Sequence, residues 1–383
     1  MNNKIFKKKI LFITGTRADF GKIKQVIKKL ETLKFDISIF ITGMHLDKKF
    51  GSTFNEINKT FKKLKAKKFI NNKKNDTMDI VLSKTINGFS SYVKKIKPDL
   101  IMVHGDRVEP LAASIVGTLN NILVGHIEGG ERSGTIDEHL RHSISKLSHI
   151  HFVSNINAKK RLVLLGEQKE KIFITGSPDL DVMNDNNLPK LSEVQNKYEF
   201  KFINYGILLY HPVTTELDNL SKETEILFKS IIKSKKKFLI IYPNNDNGHQ
   251  LIINKIKKIF KKNNNVRILR SMRFEYFLSS LKNSNLIIGN SSAGIREAPF
   301  YGIPTINIGS RQQNRYKSKS IHNVDIKSKT IENKINRLFK MKYKRNFYFG
   351  KGDSSIKIAR VLLKKNIWNT SIQKQLIYLL CIF

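Results

Sequence analysis

The chain has 383 residues, 40% of them hydrophobic, a formal charge of +39 and a single cysteine, Cys381. Its length predicts two domains of roughly 150–200 residues, its apolar content excludes disorder, and no apolar run approaches the roughly 20 residues that a membrane span needs. A lone cysteine forms no internal disulfide, so the expected compartment is the reducing cytoplasm.

The charge raises nucleic acid and anionic lipid as partners. Lysine, however, is spread along the whole chain beside abundant Asn and Ile, with no basic arm, zinc-finger spacing or aromatic-interleaved Arg patch. These lysines read as solvated faces, and neither a nucleic acid nor a membrane is expected as partner. A positive field would still draw in a dianionic nucleotide.

In chain order, Lys9–Thr14 (KILFIT) reads as a short buried strand leading into a helix over Lys22–Leu33. Basic residues precede the strand, as in a signal peptide, but the apolar run Ile10–Ile13 is too short for one. Further strands are expected at Ile37–Thr42, Leu100–His104, Ile122–His126 and His149–Ser154. Continuous apolar runs alternating with helices predict βαβ units and a parallel sheet covered on both faces. The pattern restarts with Asn204–Tyr210, Phe238–Tyr242, Val266–Leu269, Leu286–Gly289 and Thr305–Ile308. A polar stretch, Asp181–Asn196, separates the halves. The expected domains are therefore 1–180 and 197–353, both Rossmann-like, facing a central cleft, with a helical segment 354–383 free to pack back on the first.

Polar residues cluster just after these strands, where a parallel sheet places its ligand-binding loops. Gly15–Lys22 (GTRADFGK) turns from a strand into a helix start carrying Arg17 and Lys22, suited to a phosphate. It has neither dinucleotide nor Walker spacing, and alone an ordinary βα turn accounts for it equally well. His104-Gly105-Asp106-Arg107 and His126-Ile127-Glu128-Gly129-Gly130 follow two further strands. Asp137 and Arg141 share a helix face at i, i+4, beside Glu138 and His142. Together these supply carboxylates and imidazoles enough for a general acid and a general base, without the HExxH or CxxC spacing of a metal site. In the second half, Tyr210-His211-Pro212, Gly289–Gly294 (GNSSAG) with Glu297, and Arg311 each follow a strand and suit phosphate and ribose. Residue chemistry thus reaches a nucleotide site with acid/base groups, and does not choose between a glycosyltransferase and an epimerase.

Taken in order, GTRADFGK, ITGMHL (41–46), HGDR, HIEGG, SGTIDEHLRHSISKLSH (133–149), TGSPDLD (175–181), HPVT (211–214), GNSSAGIREAPFYGIPTINIG (289–309) and RQQNR (311–315) resemble the UDP-N-acetylglucosamine 2-epimerase family. The SGTID–RH–KLSH stretch resembles its hydrolysing branch, which feeds sialic acid synthesis. The resemblance implies an α/β fold of the GT-B type, no cofactor, no metal and a homo-oligomer, dimer or tetramer. It also implies elimination of UDP to a 2-acetamidoglucal, followed by hydration. Carried over by position, Asp106, Glu128, Asp137 and His211 are the catalytic candidates. Arg17, Lys22, Arg141 and Arg311 bind substrate or leaving group, and Asn244, Ser291, Ser292 and Glu297 hold UDP. His45, His104, His126 and His142 shape the sugar site. Glu138 stands where some relatives have a second aspartate. A sibling enzyme acting on a UDP-diacetamido-trideoxy sugar or on GDP-GlcNAc, for legionaminic-type acids, and a non-hydrolysing epimerase are the alternatives.

Overall fold

A computed structural model describes residues 8–46, 53–73, 76–132, 136–184, 188–213, 215–243, 246–312 and 315–375, the side chains of Arg17 and Ala18 excepted. The chain divides into two compact units, residues 1–184 with 348–383, and residues 185–347.

The first unit is built on seven parallel strands: β1 (Lys9–Thr14), β2 (Asp36–Ile41), β3 (Lys65–Lys68), β4 (Leu100–His104), β5 (Leu123–Ile127), β6 (Ile150–Val153) and β7 (Ile172–Ile174). They lie in the order β3-β2-β1-β4-β5-β6-β7. Alternation along β1 shows why both faces must be covered. Ile10 and Phe12 join one apolar cluster with Ile37, Ile39 and Met102, whereas Leu11 and Ile13 join another with Phe40, Ile101 and Val103.

The helix after β1 begins at Arg17, five residues earlier than the apolar periodicity suggested, because Thr16 and Asp19 form a capping box that the spacing of hydrophobics does not report. It buries Phe20, Ile23, Val26, Ile27 and Leu30 against the sheet. Strand β3 also carries no apolar signal: its four residues, KAKK, are all exposed on the sheet rim. Lysines along such an edge discourage pairing with another chain.

The second unit has six parallel strands: β8 (Gly206–Leu209), β9 (Phe238–Ile241), β10 (Val266–Leu269), β11 (Leu286–Gly289), β12 (Thr305–Ile308) and β13 (Ile321–Val324). Their order is β10-β9-β8-β11-β12-β13. The stretch 181–196, read from sequence as a polar linker, instead contains part of helix Asp179–Met183 and most of helix Leu191–Tyr198. Val194 is fully buried, which makes the latter helix part of the second unit rather than a tether.

The C-terminal segment returns to the first unit at residue 348 rather than 354. It is helical only over Ser354–Leu362 and Lys365–Trp368; residues 376–383 lie outside the described part. Ile358, Ala359 and Leu362 complete the cluster beneath helix Arg17–Thr32. The Asp181 carboxylate accepts the Ser354 and Ser355 N–H groups at 2.7 and 2.6 Å, satisfying two donors that a helix start leaves open.

A buried ionic knot fastens the end of this segment. Glu167, 2% exposed, meets Lys146 at 3.0 Å, Lys374 at 2.5 Å and His151 at 3.0 Å. Lys374 also donates to the carbonyls of Lys146 and Ser148, ending helix Ile136–Leu147. Burial opposes ionisation of Glu167, but His151 and Lys374 outweigh it and pull the carboxyl down to about 2. Burial likewise keeps His151 below the usual imidazole range, so the positive charge facing Glu167 comes from the lysines.

Glu167→Gln leaves those lysines without their anion and is expected to destabilise the first unit by about 3 kcal/mol, read as a lower urea midpoint. The depressed carboxyl contributes stability that is full above its ordinary value of 4.5 and lost as pH falls towards 2. The variant should therefore lose much of the acid dependence in that window; an unchanged urea midpoint together with an unchanged acid limb would contradict this account.

Candidate active site

In each sheet the connections leave in opposite directions at one strand pair, β1/β4 in the first unit and β8/β11 in the second, opening a crevice beyond the carboxyl ends. Lys22, His104 and Asp106 lie at or after the first pair, and His211, Ser291 and Ser292 after the second.

In the first unit the helix start after β1 brings Lys22 towards two carboxylates. Its Nζ lies 3.4 Å from Glu128 Oε2 and 3.7 Å from Asp179 Oδ2. Asp179 is fully buried and Glu128 is 5% exposed. His104 Nε2 stands 3.3 Å from the same Glu128 oxygen, and Ser177 Oγ donates to the other, Oε1. Glu128 follows β5 with φ +66, a left-handed backbone that costs a non-glycine residue on the order of 1 kcal/mol. Strain of this kind is retained where a side chain must be aimed.

Asp106, after β4, is paired with Arg141 of helix Ile136–Leu147. The guanidinium reaches back from the helix to the β4 loop, a long-range contact that helix spacing does not report. Asp137 lies half-buried in the first turn of that helix. At the next position along, Glu138 and His142 form an i, i+4 pair at 3.3 Å.

Two of the predicted sugar-site histidines are engaged inside the scaffold. His126 is fully buried, its Nδ1 3.0 Å from Ser145 Oγ and its Nε2 2.8 Å from the Gly105 carbonyl, so it bears on the Asp106 loop through the backbone. Burial pushes its imidazole down to about 3, leaving it neutral at ordinary pH. His45, also fully buried, stands 3.0 Å from Thr14 Oγ1 and 2.7 Å from Thr53 Oγ1.

In the second unit Asn290 ties the two crevice loops together. It accepts the His211 N–H at 2.7 Å and donates to the His211 carbonyl at 2.8 Å. Gly289 precedes it at φ +132, where a Cβ would fall 2.1 Å from the Leu209 carbonyl oxygen, so only glycine fits. Gln312 donates to the Asn290 carbonyl at 2.9 Å, and Arg311 lies 3.8 Å from Asp246. Ser291 caps the turn that follows, accepting the Ala293 N–H at 3.3 Å.

That turn corrects one expectation. GNSSAG does not open a full helix; a three-residue 3-10 turn, Ser292–Gly294, precedes a five-residue helix, Glu297–Tyr301. Half-buried Ser291 and Ser292 therefore offer hydroxyls and local N–H groups rather than a long helix dipole, with Glu297 buried beside them. Asn244 and the side chain of Arg17 lie outside the described residues.

Sequence reasoning missed Ser177 and Asp179. Both sit in TGSPDLD after β7, a strand of only three residues whose exposed Ile174 gives no buried-strand signal. Among the described residues no group of three or more His, Cys, Asp or Glu side chains is arranged to hold a metal, and no helix is long and apolar enough to cross a membrane.

Comparison with known proteins places the chain in a family. The family model described as UDP-N-acetylglucosamine 2-epimerase matches residues 28–363. A UDP-N-acetylglucosamine 2-epimerase of Neisseria meningitidis serogroup B is 44% identical over 375 residues, covering 97% of this chain and 99% of that one. A Legionella pneumophila protein named UDP-N,N'-diacetylbacillosamine 2-epimerase (hydrolyzing) is 35% identical over 369 residues, covering 93% and 95%. Among solved structures, a Neisseria meningitidis UDP-GlcNAc 2-epimerase bound to UDP-GlcNAc shares the fold with a TM-score of 0.77, at 21% identity, covering 93% of this chain and 100% of that one. The two Rossmann-like sheets thus belong to the GT-B-like class.

Ser177 is buried and donates to the buried Glu128 carboxylate, so Ser177→Ala should lower turnover of a sugar nucleotide about tenfold and stability by about 1–3 kcal/mol. Steady-state kinetics alongside thermal melts separate the two, and unchanged turnover would remove Ser177 from the site.

Proposed function

Because the chain belongs to the UDP-N-acetylglucosamine 2-epimerase family, we propose that it is the hydrolysing enzyme, converting UDP-N-acetylglucosamine into UDP and free N-acetylmannosamine. The observation that carries this reading is the pairing, at the carboxyl ends of β4 and β5, of two separately held carboxylates: Asp106 against Arg141, and Glu128 among His104, Lys22 and Ser177.

The chemistry needs both. In the first step a base removes the C2 proton while the C1–O bond to the diphosphate breaks, leaving a C1=C2 double bond and free UDP. In the second, water adds its oxygen at C1 and a proton reaches C2 from the opposite face, which inverts that centre. Asp106 is assigned the C2 proton abstraction and Glu128 the hydration, with Asp137, in the first turn of the helix that carries Arg141, as a further acid/base candidate. A weakly acidic C–H needs a placed base, and a fixed salt bridge to Arg141 is a means of placing one. Lys22 is read as a partner of Glu128 and Asp179 rather than as a phosphate ligand, given its two carboxylate neighbours. His211, Ser291, Ser292, Glu297 and Arg311 are assigned to the nucleotide and its departing diphosphate, where negative charge grows as C1–O breaks. Arg17 and Asn244 are assigned there by sequence position alone. A cytoplasmic homo-oligomer acting on a sugar nucleotide, with no cofactor, completes the reading.

A second reading changes only the sugar. The Legionella relative carries a diacetamido sugar in its name, which favours a sibling substrate of that class as the alternative.

Proton NMR of UDP-N-acetylglucosamine with the protein in D2O tests both readings. Free UDP and N-acetylmannosamine deuterated at C2 are expected. Accumulation of UDP-N-acetylmannosamine would show a non-hydrolysing enzyme, and turnover of only a diacetamido sugar nucleotide would transfer the assignment to the sibling. Asp106→Asn and Glu128→Gln should each slow turnover by about 10²–10⁴-fold while leaving UDP affinity nearly unchanged.

A further inference from the structure

Glu109 has no part in the proton transfers assigned above, yet its burial is unfavourable. It lies in the first turn of helix Val108–Leu119, 5% exposed. Among the described residues its Oε2 has no hydrogen-bond partner, although Arg107 Nε stands 3.7 Å away. Burial raises its pKa, offset in part by Arg107. An apolar side chain would fill the same volume at lower cost.

What the carboxyl touches explains its retention. A Cβ at Gly15 would fall 2.6 Å from Glu109 Cδ, and one at Gly43 would fall 2.6 Å from Oε1. Gly15 does not have a positive φ, so its backbone does not call for glycine; the Glu109 side chain does. The same Gly15 peptide is held from other directions. Its N–H donates to Asp19 Oδ2 at 2.9 Å, and its carbonyl accepts the His45 N–H at 3.3 Å. Gly43 N–H in turn donates to Asn71 Oδ1 at 3.0 Å. One side chain from the helix after β4 therefore meets the turns that follow β1 and β2, at the β1/β4 switch point.

We propose that Glu109 is a positioning residue of the sugar-nucleotide site, its buried carboxyl acting as the wedge that sets the Gly15 and Gly43 turns against the Asp106 loop. This rests on the function proposed above. Glu109 acts through its neighbours: the Gly15 turn starts the helix that carries Arg17 and Lys22, and Asp106 lies three residues before Glu109.

The test is a double-variant cycle of Gly15→Ala, Glu109→Ser and their combination, followed by turnover of UDP-N-acetylglucosamine, UDP affinity by calorimetry and the unfolding midpoint. A methyl group at Gly15 drives the carboxyl aside, so kcat/KM should fall roughly 100-fold. Shortening Glu109 makes room for that methyl, and the double variant should recover at least about tenfold over Gly15→Ala. Glu109→Gln, which keeps the shape, should stay within about fivefold of the unaltered enzyme. Effects that simply multiply in the double variant would overturn the proposal, as would a Glu109→Ser protein that loses stability but keeps its kcat/KM. An unaltered protein inert towards every sugar nucleotide would refute the functional reading instead; the cycle in UDP affinity would then still decide whether Glu109 positions the site, with multiplying effects counting against it.

Discussion

Parallel strands can be joined only by crossovers, and where successive crossovers leave a sheet in opposite directions the loops beyond two neighbouring strands diverge. The gap between those loops is the constraint on which this protein's chemistry depends. At β1 the chain departs towards β2, and it re-enters on the other side as β4; the same reversal occurs at β8 and β11. A polar residue at the carboxyl end of these strands therefore meets other polar residues rather than the core. Lys22 after β1 and His104 at the end of β4, far apart in sequence, accordingly both lie within 3.4 Å of one oxygen of Glu128, which follows the neighbouring β5.

The same geometry decides how much of the molecule could be read from its sequence. Strands β1, β4 and β5 are apolar runs buried on both faces, and each announces the loop that follows: GTRADFGK, HGDR and HIEGG. Asp106 and Glu128 were legible for that reason. Ser177 and Asp179 were not, because β7 has three residues and exposes one of them. Nor was Glu109, since an acid in the first turn of a helix is ordinarily a solvated partner of the helix dipole. Its burial follows from glycines 94 and 66 positions earlier, a contact that no local pattern encodes. The contact of Arg141 with Asp106 is likewise tertiary, between a helix and the loop after β4, and helix spacing alone does not report it.

Composition misled less than its size suggests. Part of the lysine excess has visible structural work within the first unit. The KAKK rim of β3 guards an open edge, and Lys374 and Lys146 hold Glu167. Lys22 serves the candidate site itself. These tasks need a long side chain with a terminal charge, which buries its stem while its ammonium reaches a partner.

Charge compensation in the first crevice suits the proposed reaction. Carboxylates in the first lie against cations or N–H groups: Asp106 against Arg141, Glu128 and Asp179 against one shared lysine, Lys22, and Asp19 against the N–H groups of Gly15 and Thr16. Burial pushes Glu109 towards its neutral form. Proton transfer requires carboxylates, but uncompensated ones would repel a dianionic nucleotide and oppose the charge that develops on its diphosphate. The second crevice offers the Ser291 and Ser292 hydroxyls and Arg311, groups that donate to phosphate.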